Sequence, residues 1–172
     1  MPVIQRFILP AIVLAGTSSP EPISAQTNHD EHAGPMMNYH VIDDRLATGG
    51  HFVDDGLNEV AAGGVQVVID LRDDPPAGQK EKLAAQGVEW INIPVKWKDP
   101  QRVDFDHFSA AMGEHKDQKV VVQCQANYRA SAMTYLYRVQ VEKVPEDIAV
   151  KDMLAVWEPN DQWREYLDSI IE

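Results

Sequence analysis

From residue 39 onward the chain alternates two kinds of apolar pattern. Short, nearly unbroken runs rich in valine and isoleucine occupy 65–71, 88–93 and 119–123, as in strands covered on both faces. Between them, apolar residues return every three or four positions, the period of a helix with one buried side. Such stretches cover 53–62, 78–86, a segment opening at Asp104, and 130–141, followed by 146–157 and 161–171. The punctuation agrees. Gly63-Gly64 and Gly87 close the first two, and Asp104 caps the third, which carries Phe105, Phe108 and Met112 on one face. Glu158-Pro159-Asn160 separates the last two, and two extended pieces, 40–42 and 46–48, flank the turn Asp43-Asp44-Arg45. Strands joined by helical connections must run parallel. The order predicts an α/β fold: a central, mostly parallel sheet of about four to five strands flanked by helices, with extra C-terminal helices.

Residues 1–25 break this pattern. Arg6 precedes an apolar run from Phe7 to Gly16, interrupted by Pro10, and a Ser/Pro-rich patch ends at Ala25 before Gln26. This is the layout of a secretory signal peptide cleaved after Ala25, and its apolar run is too short to span a bilayer. Export to a periplasm is therefore expected. Residues 26–38 read as a flexible lead-in, where His29 and His32 have no fixed geometry for a metal. The domain is expected over 39–172.

A chain of 172 residues, 44% hydrophobic, suits one core. Fifteen Lys and Arg against 27 Asp and Glu leave a net charge of −12, which argues against nucleic acid or an anionic membrane as partner. An anionic ligand would need a local trap. The lone cysteine, Cys124, rules out an intrachain disulfide, a multi-cysteine metal cluster and a CxxC redox pair. His51, His107 and His115 have no partner at metal spacing, so neither metal nor cofactor is expected.

In a parallel sheet, ligands bind beyond the carboxyl ends of the strands, where loops and helix N-termini gather. Three loops reach that rim. The first carries Asp70, Arg72, Asp73 and Asp74, the second Lys96, Trp97, Lys98 and Asp99, and the third runs Cys124-Gln125-Ala126-Asn127-Tyr128-Arg129. A cysteine between a strand and a helix lies near unpaired amides and the positive end of the helix dipole; these, with Arg129, favour thiolate over thiol. The same amides, curled into a concavity, bind an oxyanion, and a guanidinium adds a bidentate grip. Arg72, Lys96 and Lys98 are expected to reinforce that trap. The plain alternative is a small buried cysteine that ends a strand.

The segment Val120-Val121-Val122-Gln123-Cys124-Gln125-Ala126-Asn127-Tyr128-Arg129-Ala130-Ser131 resembles the signature loop of cysteine-dependent protein tyrosine and dual-specificity phosphatases. It is similar in particular to the small bacterial phosphatase-like domain also found fused to beta-lactamase hydrolase-like proteins. The likeness extends over about residues 39–160, through Leu46-Ala47-Thr48-Gly49-Gly50, the charged end of 67–72, and Ile93-Pro94-Val95. It implies that Cys124 attacks phosphorus to form a phosphocysteine, and that Arg129 and the amides of Gln125, Ala126, Asn127, Tyr128 and Ala130 hold the phosphate oxygens. It further implies an aspartic acid that protonates the leaving group. Asp99, in Trp97-Lys98-Asp99-Pro100, is the candidate, and Asp104 the competitor. The partner would be a phosphorylated protein or a small phosphate ester.

Three departures stand out. Four residues, not the family's five, separate Cys124 from Arg129; Gln123 replaces the usual histidine; and the loop lacks glycine, so any positive φ falls to Asn127. The short loop also matches single-domain rhodaneses, leaving a sulfurtransferase as a rival and a non-catalytic anion- or protein-binding relative as a third reading. Ser131 is a candidate for hydrogen bonding to the thiolate, or a plain serine of the first helical turn.

Overall fold

The computed structural model describes residues 34–171. The predicted export segment 1–25 and residues 26–33 of the lead-in lie outside the described residues. Five strands, β1 (His40–Val41), β2 (Leu46–Gly49), β3 (Val67–Asp70), β4 (Glu89–Asn92) and β5 (Val120–Gln123), form one sheet in the order β1-β2-β5-β3-β4. All neighbours are parallel except β1, an antiparallel edge on β2. The helices are α1 (Gly56–Ala62), α2 (Gln79–Ala85), α3 (Arg102–Glu114), α4 (Tyr128–Gln140), α5 (Glu146–Val156) and α6 (Asp161–Ile171). This is the α/β architecture that the hydrophobic pattern predicts.

The alternation of side chains along each strand splits the core in two. Leu46, Val67, Ile69, Val120 and Val122 point to the face covered by α3, α4, α5 and α6, while Ala47, Val68 and Val121 point to the face covered by α1 and α2. The β3 and β5 residues are buried throughout. Cys124 continues the parity of Val120 and Val122 and belongs to the larger cluster, whereas Gln123 points the other way, toward α2.

Three helix starts differ from the sequence reading by more than one residue, each for a local reason. α1 starts at Gly56 rather than at 53, because Asp54 sits at φ 44° and a turn from Gly56 to the Val53 carbonyl precedes the helix. A side chain at Gly56 would meet the Pro35 carbonyl at 1.7 Å. α3 is capped at Gln101; Asp104 lies inside the first turn, where its carboxylate accepts the Gln101 amide at 2.8 Å. α4 begins at Tyr128, not Ala130, which places Arg129 on the helix itself.

Asp152 of α5 fastens the edge. Its carboxylate accepts from His40 Nε2 at 2.8 Å and from Arg138 Nη1 at 2.5 Å, joining β1, α4 and α5. Burial alone would raise its pKa, but the hydrogen bonds from His40 and Arg138 outweigh it and hold the carboxyl below its ordinary value. A depressed carboxylate stabilises the fold above the unfolded pKa and loses that contribution as pH falls through the folded one. Asp152→Asn is therefore expected to destabilise by about 2 kcal/mol at pH 7, a gap to wild type that closes below pH ~4 in urea unfolding followed by circular dichroism.

Candidate active site

The loop after β5 rises between β2 and α4. Cys124 donates its amide to the Gly49 carbonyl at 3.0 Å, and His51 donates its own to the Gln125 carbonyl at 3.0 Å, so the end of β2 runs beside the loop. Gly50 permits that approach, since a Cβ there would stand 2.7 Å from the Gln125 oxygen. The Asn38 side chain donates to the Ala126 carbonyl at 3.1 Å, and that of Asn127 to the Asn38 carbonyl at 2.6 Å. Asn127 is the loop residue with positive φ, 69°, and turns the chain directly into α4. Asparagine tolerates this conformation better than other side-chain-bearing residues, which closes the loop without glycine.

Several donors of this loop have no partner within the protein. The isolated antiparallel bridge of Gly50 with Ala126 ties the middle of the loop to the end of β2, while among the described residues the amides of Gln125, Tyr128, Arg129 and Ala130 meet no acceptor. Cys124 is 1% exposed at the strand end from which they rise. Arg129, 7% exposed, donates from Nη1 to the Val95 carbonyl at 2.6 Å and to Asp73 Oδ1 at 3.0 Å. Its Nε and Nη2 have no acceptor among the described residues, leaving a planar two-donor fork suited to a tetrahedral oxyanion. The guanidinium is turned inward and held from behind.

Beneath the loop lies a buried polar network. Asp70 and Arg72, 0% and 3% exposed, pair through Nε to Oδ1 at 2.9 Å and Nη2 to Oδ2 at 2.6 Å. Gln79 of α2 accepts from Arg72 at 2.6 Å and donates to Gln123 at 2.8 Å; Gln123 in turn donates to the Gly50 carbonyl at 3.2 Å. Trp90 adds its Nε1–H to Asp70 at 3.3 Å. Arg72 is thus not part of the anion trap expected from sequence, because Asp70, two residues back on the same side of the strand, takes its charge. Gln123, in the position of the family's histidine, serves as the link between α2 and the end of β2.

The acids at the rim divide by environment. Asp70 is consumed by Arg72, and Asp104, in the first turn of α3, accepts the amide of the Gln101 cap. The Arg129 hydrogen bond holds Asp73 below the usual carboxylate range; burial works against it, and the charges of Arg129 and Lys96 add to the effect. The Asp73 carboxylate is thus engaged in orienting Arg129. Asp99 is exposed and accepts from the Gln101 side chain at 2.7 Å. Its segment borders the loop: Val95 holds Arg129, and the Trp97 ring lies 6.1 Å from that of Tyr128. Lys96 and Lys98 are exposed on this segment. Ser131 donates back to the Tyr128 carbonyl at 3.1 Å, as an ordinary first-turn serine. The role of Asp73 was invisible to sequence reasoning, since it lies 56 residues from its partner in a charged turn with no distinguishing pattern.

Fold and loop together define a cysteine-dependent phosphatase of the tyrosine and dual-specificity class. The chain belongs to the family of DSP-PTPase phosphatases fused to NAD+ kinase, whose sequence model matches residues 26–164. A DUF442 candidate phosphatase from Shewanella putrefaciens has a similar crystal structure, with TM-score 0.69 and 28% identity over 78% of this chain and 89% of that one. Tk-PTP in its active form shares the fold at TM-score 0.67 and 17% identity, with 78% and 96% covered. PTPMT1 in complex with PI(5)P does so at 0.65 and 17%, with 77% and 94% covered. No functionally curated protein matches the chain.

Replacing Gln123 by Leu keeps the volume but strands the Gly50 carbonyl and one proton of Gln79. Each buried group left without a partner costs about 1–3 kcal/mol. Gln123→Leu is accordingly expected to lower the urea midpoint and to weaken vanadate binding, measured by calorimetry on the folded variant.

Proposed function

We propose that the protein hydrolyses phosphate monoesters through a phosphocysteine. The observation that carries this reading is the pair of unpartnered donors, Nε and Nη2, on Arg129, whose Nη1 is held by Val95 and Asp73, at the start of the helix that follows Cys124. The Cys124 thiolate donates its electron pair to phosphorus, forming the S–P bond as the ester P–O bond breaks. Three equatorial oxygens rest on the loop amides and on Nε–H and Nη2–H of Arg129, where developing negative charge meets fixed donors. Asp99, protonated, gives its proton to the leaving oxygen. The resulting carboxylate then takes a proton from water as the water oxygen attacks phosphorus, the S–P bond breaks, and phosphate leaves with the thiolate restored.

Asp99 is favoured as donor because it lies on the segment that holds Arg129 through Val95, whereas Asp70, Asp73 and Asp104 are engaged by Arg72, Arg129 and the Gln101 amide. The substrate is a phosphate ester of a protein or a small molecule. The PTPMT1 complex, with its phosphoinositide, supports the small-molecule side. A cleft of about 730 Å³ lies between the segments around α1 and α2 and reaches the loop only at Gln125.

Purified protein is expected to cleave a generic aryl phosphate and to gain one phosphoryl group at Cys124 in a rapid-quench mass spectrum. Cys124→Ser is expected to abolish turnover while still binding vanadate. Sulfur transfer from thiosulfate to cyanide, in place of phosphate release, would move the assignment to a sulfurtransferase. Vanadate binding with neither activity would make the protein an anion-binding module.

A further inference from the structure

The C-terminal helix α6 does more than seal the core. Its first turns send three side-chain donors into the segment that carries Asp99. Gln162 Nε2 donates to the Lys98 carbonyl, Trp163 Nε1 to the Trp97 carbonyl at 3.1 Å, and Tyr166 Oη to the Gln101 carbonyl at 3.2 Å. These acceptors bracket Asp99 on both sides along the chain. The ring of Trp97 is gripped as well, 5.3 Å from Trp163, 5.5 Å from Trp157 and 6.1 Å from Tyr128. Tyr128 stacks on Trp157 at 4.8 Å and 16°. One aromatic cluster therefore joins the signature loop, the acid-bearing segment and the junction between α5 and α6.

We infer that α6 is a positioning element for proton donation, with Gln162 and Trp163 as its positioning residues, holding the Asp99 segment in place before substrate arrives. This rests on the reading of Asp99 as the proton donor. The physical reason is geometric. A donor on an exposed segment contributes only while it stays within hydrogen-bond reach of the leaving oxygen. Backbone carbonyls bonded to a rigid helix fix that segment at two successive residues, and a tryptophan clamped by three rings removes its rotational freedom. The segment then needs no closing movement to present its acid.

Leaving-group dependence tests the assignment, because a proton donor matters most when the departing oxygen is basic. Turnover of 2,4-dinitrophenyl, 4-nitrophenyl and phenyl phosphates would be compared in wild type, Asp99→Asn, Gln162→Ala and Trp163→Phe. Arg164→Ala, on the solvent side of α6, serves as control. Loss of the donor is expected to slow phenyl phosphate by about 10²–10⁴-fold while sparing the dinitrophenyl ester. The two α6 variants are expected to fall between, slowed roughly tenfold on phenyl phosphate and little on the dinitrophenyl ester. A merely structural lesion would slow all three esters alike. If Asp99→Asn shows the selective loss while Gln162→Ala and Trp163→Phe slow every ester equally or not at all, the positioning role is overturned and the acid assignment survives. If Asp99→Asn shows no selective loss, both fall. Gln162 is exposed, so its variant decides the matter should Trp163→Phe not fold.

Discussion

The site depends on the ion pair of Asp70 and Arg72, two opposite charges buried side by side with almost no solvent. Charges in that position persist only if every polar atom around them is satisfied. Here the satisfaction comes from separate elements: Gln79 of α2, Trp90 of β4 and, through Gln79, Gln123 of β5, which reaches on to Gly50 at the end of β2. A buried pair of this kind adds little net stability over an apolar replacement, while removal of one partner costs about 3–5 kcal/mol. Its effect is to fix register. The carboxyl ends of β2, β3 and β5 are tied at one level, and the signature loop stands on that platform.

Given the platform, a loop one residue shorter than the family pattern still forms a cup. Asn127 supplies the single left-handed turn, α4 begins at once, and Arg129 is delivered on a helix rather than on the loop. Its guanidinium is then oriented from behind by Asp73 and Val95, which use one nitrogen and leave two. Shortening the loop shifts the orienting work onto neighbouring strand ends. The absence of glycine fits the same account, because only one position needs positive φ.

The hydrophobic periodicity was sufficient for the α/β class and for the sheet edge where Cys124, Arg129 and Asp99 lie, since strand runs and helix stripes are local signals. Positive φ at Asn127 was legible for the same reason. The fates of the charged residues were less so. Arg72 looked like an anion ligand, although Asp70 two positions earlier shares its side of the strand and was the available clue. The tie between Asp73 and Arg129 spans 56 residues, and that between Trp97 and Trp163 spans 66. Such pairings follow from how α6 and the β3 turn fall onto the sheet, and no local pattern encodes them. The aromatic residues near the C-terminus read simply as core, which is true of Trp163 but omits where its indole nitrogen points.

Three of the four tryptophans of the chain lie together, and the fourth reaches the end of the sheet from its other face. Trp97, Trp157 and Trp163 form a cluster against Tyr128, and Trp90 bonds to Asp70 beneath the loop. The tryptophan emission of the unlabelled protein, excited at wavelengths that tyrosine does not absorb, is therefore dominated by the cluster against Tyr128. Occupancy of the loop, or a displacement of α6, is written directly into the intrinsic fluorescence, and the molecule carries its own optical gauge.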